Sequence, residues 1–396
     1  MEITIFRKGE IRTDLFLDQE IYRHTLYSSF STLKDTKFGN FNDLDETKSR
    51  LDLLDKNSEK FRRAAAKYLH EYELVKILCK KQVLSRAYFK LYEIIYFEPV
   101  ISETGCDCFF ICEAPGGFIE CVLDIRRKKN LQTKWLSVSK QDKFIKYGNY
   151  LEETNLMHAD IMDLDVLDQT IKQTLLKFPG GVDLATADGG FDVKVFVAQE
   201  ILSSRLILCE IYMALKTQKI GGMFVIKFFD MFSHNSNVYY LLLCSFYNYV
   251  KITKPKVSRN CNSERYLVCY GFKGQNELVP KIYEILKSFQ ISENEFTLVF
   301  PDLNLESIGF LHKIKTFNNI ILYEQVKTIN ESIKMVSSKN NYFQHLILNI
   351  FIDRTPELQK VYTIKNFKNI LASRIKKCIQ FLKMYSINMY QYVNLN

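Results

Sequence analysis

The 396-residue sequence has little with which to build a linker: seven prolines and fifteen glycines, with no Pro-rich or Gly/Ser-rich tract and no internal repeat. Such tracts are what separate tethered domains, so the outer segments are expected to pack on the central one. No apolar run approaches the ~18 residues needed to cross a bilayer. The start "MEITIFRKGE" also lacks a basic segment leading into an apolar one, so neither a membrane span nor a secretory leader is expected. Histidine is scarce at six, and the ten cysteines include no C-x-x-C pair, which speaks against a zinc site; no metal is expected. Many thiols lie inside apolar runs such as "LILCEIYMAL", where a reduced cysteine acts as a small hydrophobe. A soluble protein of a reducing, intracellular compartment is expected.

What is present is a large apolar fraction, 47%, with 30 Phe and 23 Tyr and a net charge of +9. The apolar content supports a substantial core. The charge fits a polyanionic partner such as RNA. It equally fits an A/T-biased coding sequence, which enriches Lys, Asn, Ile, Tyr and Phe, so charge alone does not choose.

Pattern divides the chain into three zones. Residues 1–80 are polar, with one strong helical stretch, "SEKFRRAAAKYLHEYELVKILCK". Residues 81–275 alternate short apolar runs with helix-period segments, the signature of an α/β fold with a mostly parallel sheet. Seven strands are predicted, at "CDCFFICEA", "KWLSVS", "LMHAD", "VDLATAD", "MFVIKFF", "VKITKP" and "RYLVCYGF". Residues 276–396 read as helices.

Sheets of this kind hold ligands at the carboxyl ends of their strands. There the chain places Glu113-Ala114-Pro115-Gly116-Gly117, then Asp160, then Asp188-Gly189-Gly190, then Lys227 between "GGMFVI" and "FFDMF". Glu264 opens the last strand, and Lys90 lies on the helix before the first. Each has a plain reading: a snorkelling lysine for Lys227, an ordinary amphipathic-helix lysine for Lys90, a helix cap for Asp160, a glycine turn for 188–190. The glycine turn after the first strand is no P-loop, since no G-K-[ST] follows it.

Together, "SRAYFK", "EAPGG", "ADGGF", "GGMFVIKFFDMF" and "KPKVSRNCNSERYLVC" resemble the motifs of FtsJ-type (RrmJ-type) RNA ribose 2′-O-methyltransferases. Within that group they fit the cap-specific mRNA enzymes of eukaryotes and large DNA viruses. The resemblance covers residues 85–273, with a weaker echo at "LVFPDLNLESIGFLHKIKTFNN". It implies a Rossmann-like class I methyltransferase fold, with S-adenosylmethionine as cofactor and capped mRNA as partner. Other capping proteins or the polymerase are further candidate partners. The implied location is the nucleus or, for a viral member, a cytoplasmic replication site.

The resemblance assigns a Lys-Asp-Lys-Glu tetrad to Lys90, Asp188, Lys227 and Glu264, with Lys227 as the proton acceptor, its pKa lowered by burial and by Lys90. It assigns the methyl donor to Cys112, Glu113, Ala114, Pro115, Gly116, Gly117 and Phe118, with Asp160 accepting from the adenine amine and Ser85 as a further contact. Gln199, Lys254, Arg259 and Asn262 become RNA contacts, Lys254 and Arg259 suiting phosphates and Asn262 ribose or base. The expected reaction is methylation of the ribose 2′-hydroxyl of a cap-proximal nucleotide. Two alternatives stay open: an FtsJ-type enzyme of ribosomal or transfer RNA, and a cap- or RNA-binding subunit without catalysis.

Overall fold

Runs of Val, Ile, Phe and Cys bounded by turns give strands buried on both faces. In the computed structural model the described residues are 2–5, 46–48, 50, 54, 56–140, 147–149, 151–190, 199–291, 310–337 and 365–388. The seven predicted strands form β2 (Asp107–Ile111), β3 (Lys134–Ser139), β4 (Leu156–His158), β5 (Val182–Ala187), β6 (Gln218–Phe229), β7 (Tyr247–Thr253) and β8 (Glu264–Phe272). An eighth, β1 (Glu2–Ile5), enlarges the expected seven-stranded sheet. It lies antiparallel on β7, with Glu2 opposite Thr253 and Ile5 opposite Val250.

The order across the sheet is β1-β7-β8-β6-β5-β2-β3-β4. Strands β2 to β6 pair in parallel, and β8 runs antiparallel between β6 and β7. The chain progresses outward through β2, β3 and β4, then returns to the other side of β2 with β5. That reversal opens a crevice at the carboxyl ends of β2 and β5, where α/β folds take ligands.

Period-two alternation sends successive side chains to opposite faces. Phe109 and Ile111 enter one core, Cys108 and Phe110 the other. The first face is covered by α5 (Leu164–Lys177), α7 (Ser204–Thr217), α8 (His234–Phe246) and α9 (Leu278–Ile291). The second is covered by α3 (Ala87–Ile95) and α4 (Gly117–Lys128). A short α6 (Gln199–Leu202) precedes α7.

The helical stretch read at residues 58–80 breaks into α1 (Lys56–Leu69) and α2 (Val75–Leu78). No Gly or Pro causes the break. Instead the His70 ring bonds the Val257 carbonyl at 3.2 Å, and Glu73 receives Arg259, so tertiary partners take over the turn. In the C-terminal zone, α10 (Phe310–Ser337) packs on α1 and α11 (Lys365–Met384) on α2. The stretch 298–319 lies largely outside the described residues. Among the described residues, no helix is long and apolar enough to cross a membrane.

Candidate active site

Strand β2 ends in a turn that the sequence makes compact. Cys112 adopts φ 57°, and Gly116 caps α4 at φ 103°, a conformation that glycine enters without steric cost. The chain around Pro115 is pinned from outside: Ala114 N–H reaches Ser139 Oγ at 3.4 Å, and the Pro115 carbonyl accepts Gly148 N–H at 3.0 Å. Gly117 opens α4 hard against the segment before α3. A Cβ there would lie 2.3 Å from Ser85 Oγ and 3.1 Å from the Tyr88 nitrogen. Ser85 is thus part of the turn's wall, and Phe118 is fully buried behind it.

Glu113, read from the sequence as a methyl-donor contact, is turned into the protein. It is 2% exposed and accepts the Thr186 hydroxyl at 2.8 Å. Burial, followed by the neighbouring Asp188 charge, pushes its pKa well above the carboxylate range. Asp160, after β4, is partly exposed; it accepts Met162 N–H at 3.1 Å and pairs with Lys140 at 2.7 Å.

Four elements bring the tetrad together. Lys90, on α3, meets Glu264 at the start of β8, with Nζ 2.7 Å from Oε1 and 2.8 Å from Oε2. Lys227, near the end of β6, donates to the Asp188 carbonyl at 2.6 Å and lies 3.2 Å from Asp188 Oδ1. The β6–β8 register sets Lys227 opposite Tyr266 and Phe229 opposite Glu264. Tyr266, fully buried, donates to Asp188 Oδ1 at 3.0 Å, while the Lys227 ammonium sits over the Phe229 ring.

The charges interlock. Burial opposes ionisation of Glu264, but Lys90, Lys254 and Lys227 hold its pKa far below the usual range. Burial likewise opposes the Lys227 ammonium, yet Asp188, Glu264 and Glu210 outweigh it, so its pKa is raised. This reverses the sequence expectation of a depressed Lys227: the carboxylates surrounding it are more numerous than the motif alone reveals. Beside the tetrad, Lys254 is depressed instead, brought down to about 8 by burial, with Glu264 opposing and Arg265 and Lys90 adding repulsion.

Lys254 also differs from the phosphate contact it was expected to be. It is buried and donates to the carbonyls of Asn262 at 2.7 Å and Glu264 at 2.9 Å, tying the hairpin to the tetrad. Arg259 is clamped by Glu73 at 2.9 and 2.7 Å, a carboxylate shared with Arg86. Gln199 accepts the Ser263 hydroxyl at 3.3 Å, and with Arg259 and Asn262 it lines a cavity that reaches Glu264.

Three participants are not among the residues to which the motifs gave a role. Glu210 of α7 is fully buried, accepts Gly189 N–H at 3.0 Å and has its pKa pushed up by burial to about 8. Tyr266 and Glu73 are the others. Glu210 gave a usable signal, a carboxylate inside "LILCEIYMAL"; Tyr266 and Glu73 gave none. Among the described residues, no cluster of three or more His, Cys, Asp or Glu is arranged to hold a metal ion.

Two lysines, each tied to a carboxylate, stand beside the turn that ends β2; held as ammoniums they orient and balance charge, and Lys227 can take a proton from a poor nucleophile only in its neutral form. The residues fit a methyl donor of adenosyl type. Gly116 and Gly117 are buried against Leu151 and Ser85, so the open side of the turn is the half-buried Ala114 and Pro115, and the Asp160 carboxylate just after β4 can accept from an amine.

Comparison with known proteins agrees. Residues 83–272 match the family model of the FtsJ-like methyltransferases. The Drosophila melanogaster protein named cap-specific mRNA (nucleoside-2′-O-)-methyltransferase 2 is 28% identical over 67% of this chain and 41% of its own length. The Mus musculus protein of that name is 29% identical over 70% of this chain and 38% of its own. The Mus musculus cap-specific mRNA (nucleoside-2′-O-)-methyltransferase 1 is 31% identical over 65% and 33%. The chain therefore spans less than half the length of these curated relatives. With the glycine turn and both lysine–carboxylate pairs in place, residues 83–272 form an FtsJ-like methyltransferase domain.

Proposed function

We propose that the chain is a cap-specific mRNA (nucleoside-2′-O-)-methyltransferase that methylates the ribose 2′-hydroxyl of a cap-proximal nucleotide, using S-adenosylmethionine. The observation that carries the reading is the pairing of Lys90 with Glu264 and Lys227 with Asp188 at one crevice. The names of the relatives supply the cap specificity.

S-adenosylmethionine supplies a methyl group on a sulfonium with a neutral leaving group. The chain's own residues then have two tasks. The first is to hold the 2′-oxygen in line, a matter of orientation; Lys90, fixed by Glu264, positions the ribose. The second is to take the hydroxyl proton; Lys227 accepts it at Nζ once neutral, held in place by the Asp188 carbonyl. Asp188 and Glu264 balance the ammoniums, and Tyr266 fixes the Asp188 carboxylate. Residues 112–118 would hold the donor, with Ser85 behind the turn and Asp160 accepting from the adenine amine. The catalytic unit is residues 81–275, with extensions 1–80 and 276–396, and the enzyme works inside the cell on capped transcripts.

The test is methyl transfer by purified protein to matched capped and uncapped RNA oligonucleotides. Transfer to the 2′-oxygen of the capped RNA, lost in Lys227→Ala, is expected. Equal turnover on both RNAs would remove the cap assignment, and full activity in Lys227→Ala would remove the mechanism.

A further inference from the structure

Beside the tetrad lies a cavity of about 620 Å³, within the ~300–1,000 Å³ range of ligand sites. More than half of its lining comes from outside residues 83–272, from Lys48, α1 and α10. Its lining includes Glu264, the partner of Lys90, and Phe229, whose ring lies under the Lys227 ammonium, so its occupant comes beside the tetrad.

The lining is cationic: Lys48, Lys60, Arg62, Arg63, Lys67 and Arg259. Most of these charges are positioned. Lys48 pairs with Asp230 at 2.9 Å, Arg62 and Arg63 share Glu59, and Arg259 is held by Glu73. Counting those three carboxylates and Glu264, six cations still face four anions. A guanidinium has five N–H donors, and Glu73 engages two of those on Arg259. Such a group is both fixed and able to bind a further anion. Lys60, Arg63 and Lys67 fall at i, i+3 and i+7, one face of α1, which makes a stripe ~10 Å long. Lys60 and Arg63 are exposed. A stripe fits successive phosphates better than one isolated anion.

We propose that this groove, walled by the N-terminal helix α1 and the C-terminal helix α10, binds the phosphodiester backbone of the RNA nucleotides flanking the one methylated. The proposal rests on the RNA-methyltransferase reading and gives the two extensions a role in it: they supply substrate affinity from outside the FtsJ-like domain. An acidic protein segment would satisfy the same charge; continuity with the tetrad favours RNA.

The test is fluorescence anisotropy of the full chain with a labelled single-stranded RNA of about twelve nucleotides, a length in the range such grooves cover, across a salt series. The double variant Lys60→Glu/Arg63→Glu is expected to weaken binding at least about tenfold and to lower the log–log salt slope by about one to two, the loss of two phosphate contacts. Its melting temperature and affinity for S-adenosylhomocysteine serve as folding controls. Lys287→Glu, at an exposed position of α9 outside the groove lining, should leave RNA binding as it was. Unchanged affinity and slope in the double variant would overturn the proposal. So would an equal loss in Lys287→Glu, which would mean only overall charge, or displacement of RNA by oligoglutamate at matched charge, which would mean an acidic protein partner. The expected loss in a protein that transfers no methyl group would support the groove and count against the function proposed above.

Discussion

Lys90 and Glu264 meet at two points, 2.7 and 2.8 Å, with side chains only 15% and 12% exposed. Removing one partner of a buried pair costs about 3–5 kcal/mol, because the remaining charge is uncompensated. The two partners are not equivalent. Without Lys90, Glu264 still faces Lys254 and Lys227; without Glu264, three ammoniums face one another. Glu264→Gln should therefore lower the urea midpoint more than Lys90→Met, while both lose turnover. The opposite ranking would contradict this charge arrangement.

Lys227→Ala should reduce turnover at least about 100-fold, the scale of a lost general base, with S-adenosylhomocysteine affinity retained. The surrounding carboxylates raise the Lys227 pKa, so the neutral form is scarce at neutral pH. The wild-type rate should rise with pH into the alkaline range. Residual activity in the variant should not, and a shared pH profile would exclude Lys227 as acceptor.

Glu210 gives a stability prediction. Its folded pKa is about 8, raised from 4.5 by burial. Between those values the folded protein keeps a proton that the unfolded chain releases, so stability falls as pH rises through that window. Glutamine keeps an acceptor for Gly189 N–H and never ionises. Thermal melting across the window should show Glu210→Gln gaining on wild type as pH rises, and a constant difference would mean that Glu210 is already charged in the fold.

Gly117→Ala should weaken donor binding, measured by titration with S-adenosylhomocysteine. The new Cβ would meet Ser85 Oγ at 2.3 Å and, less yieldingly, the Tyr88 nitrogen at 3.1 Å. Adding Ser85→Gly removes only the first clash, so recovery should be partial. Complete recovery would show that the main chain near Tyr88 gives way.

Much of this was legible in the sequence, for identifiable reasons. The seven strands of the central zone announce themselves because a sheet buried on both faces needs unbroken apolar runs. Strand β1 does not: four alternating residues become a strand only where the edge of β7 is free to pair. The break between α1 and α2 was hidden because its cause, the Val257 carbonyl and Arg259, lies far along the chain. Asp188 and Lys227 stood out as charge at strand ends, whereas Lys90, on a helix, joined them only through the family resemblance. Glu210 carried the same anomaly on a helix, where the strand-end rule does not look. Lys254 read as a surface cation because nothing local reveals that the Asn262 and Glu264 carbonyls turn inward to meet it. The groove was illegible for a simpler reason, since its walls come from three distant stretches.

The position of β8, inserted antiparallel between β6 and β7, also bears on biosynthesis. Lys90, Lys227 and Lys254 all leave the ribosome before Glu264, the residue that answers all three. Until then Lys227 has Asp188 to answer it, but Lys90 and Lys254 lack the carboxylate they share in the finished fold. The strand that wedges the sheet into its final order also delivers the missing counter-charge. The Lys90–Glu264 lock therefore depends on a residue synthesised after the rest of the tetrad.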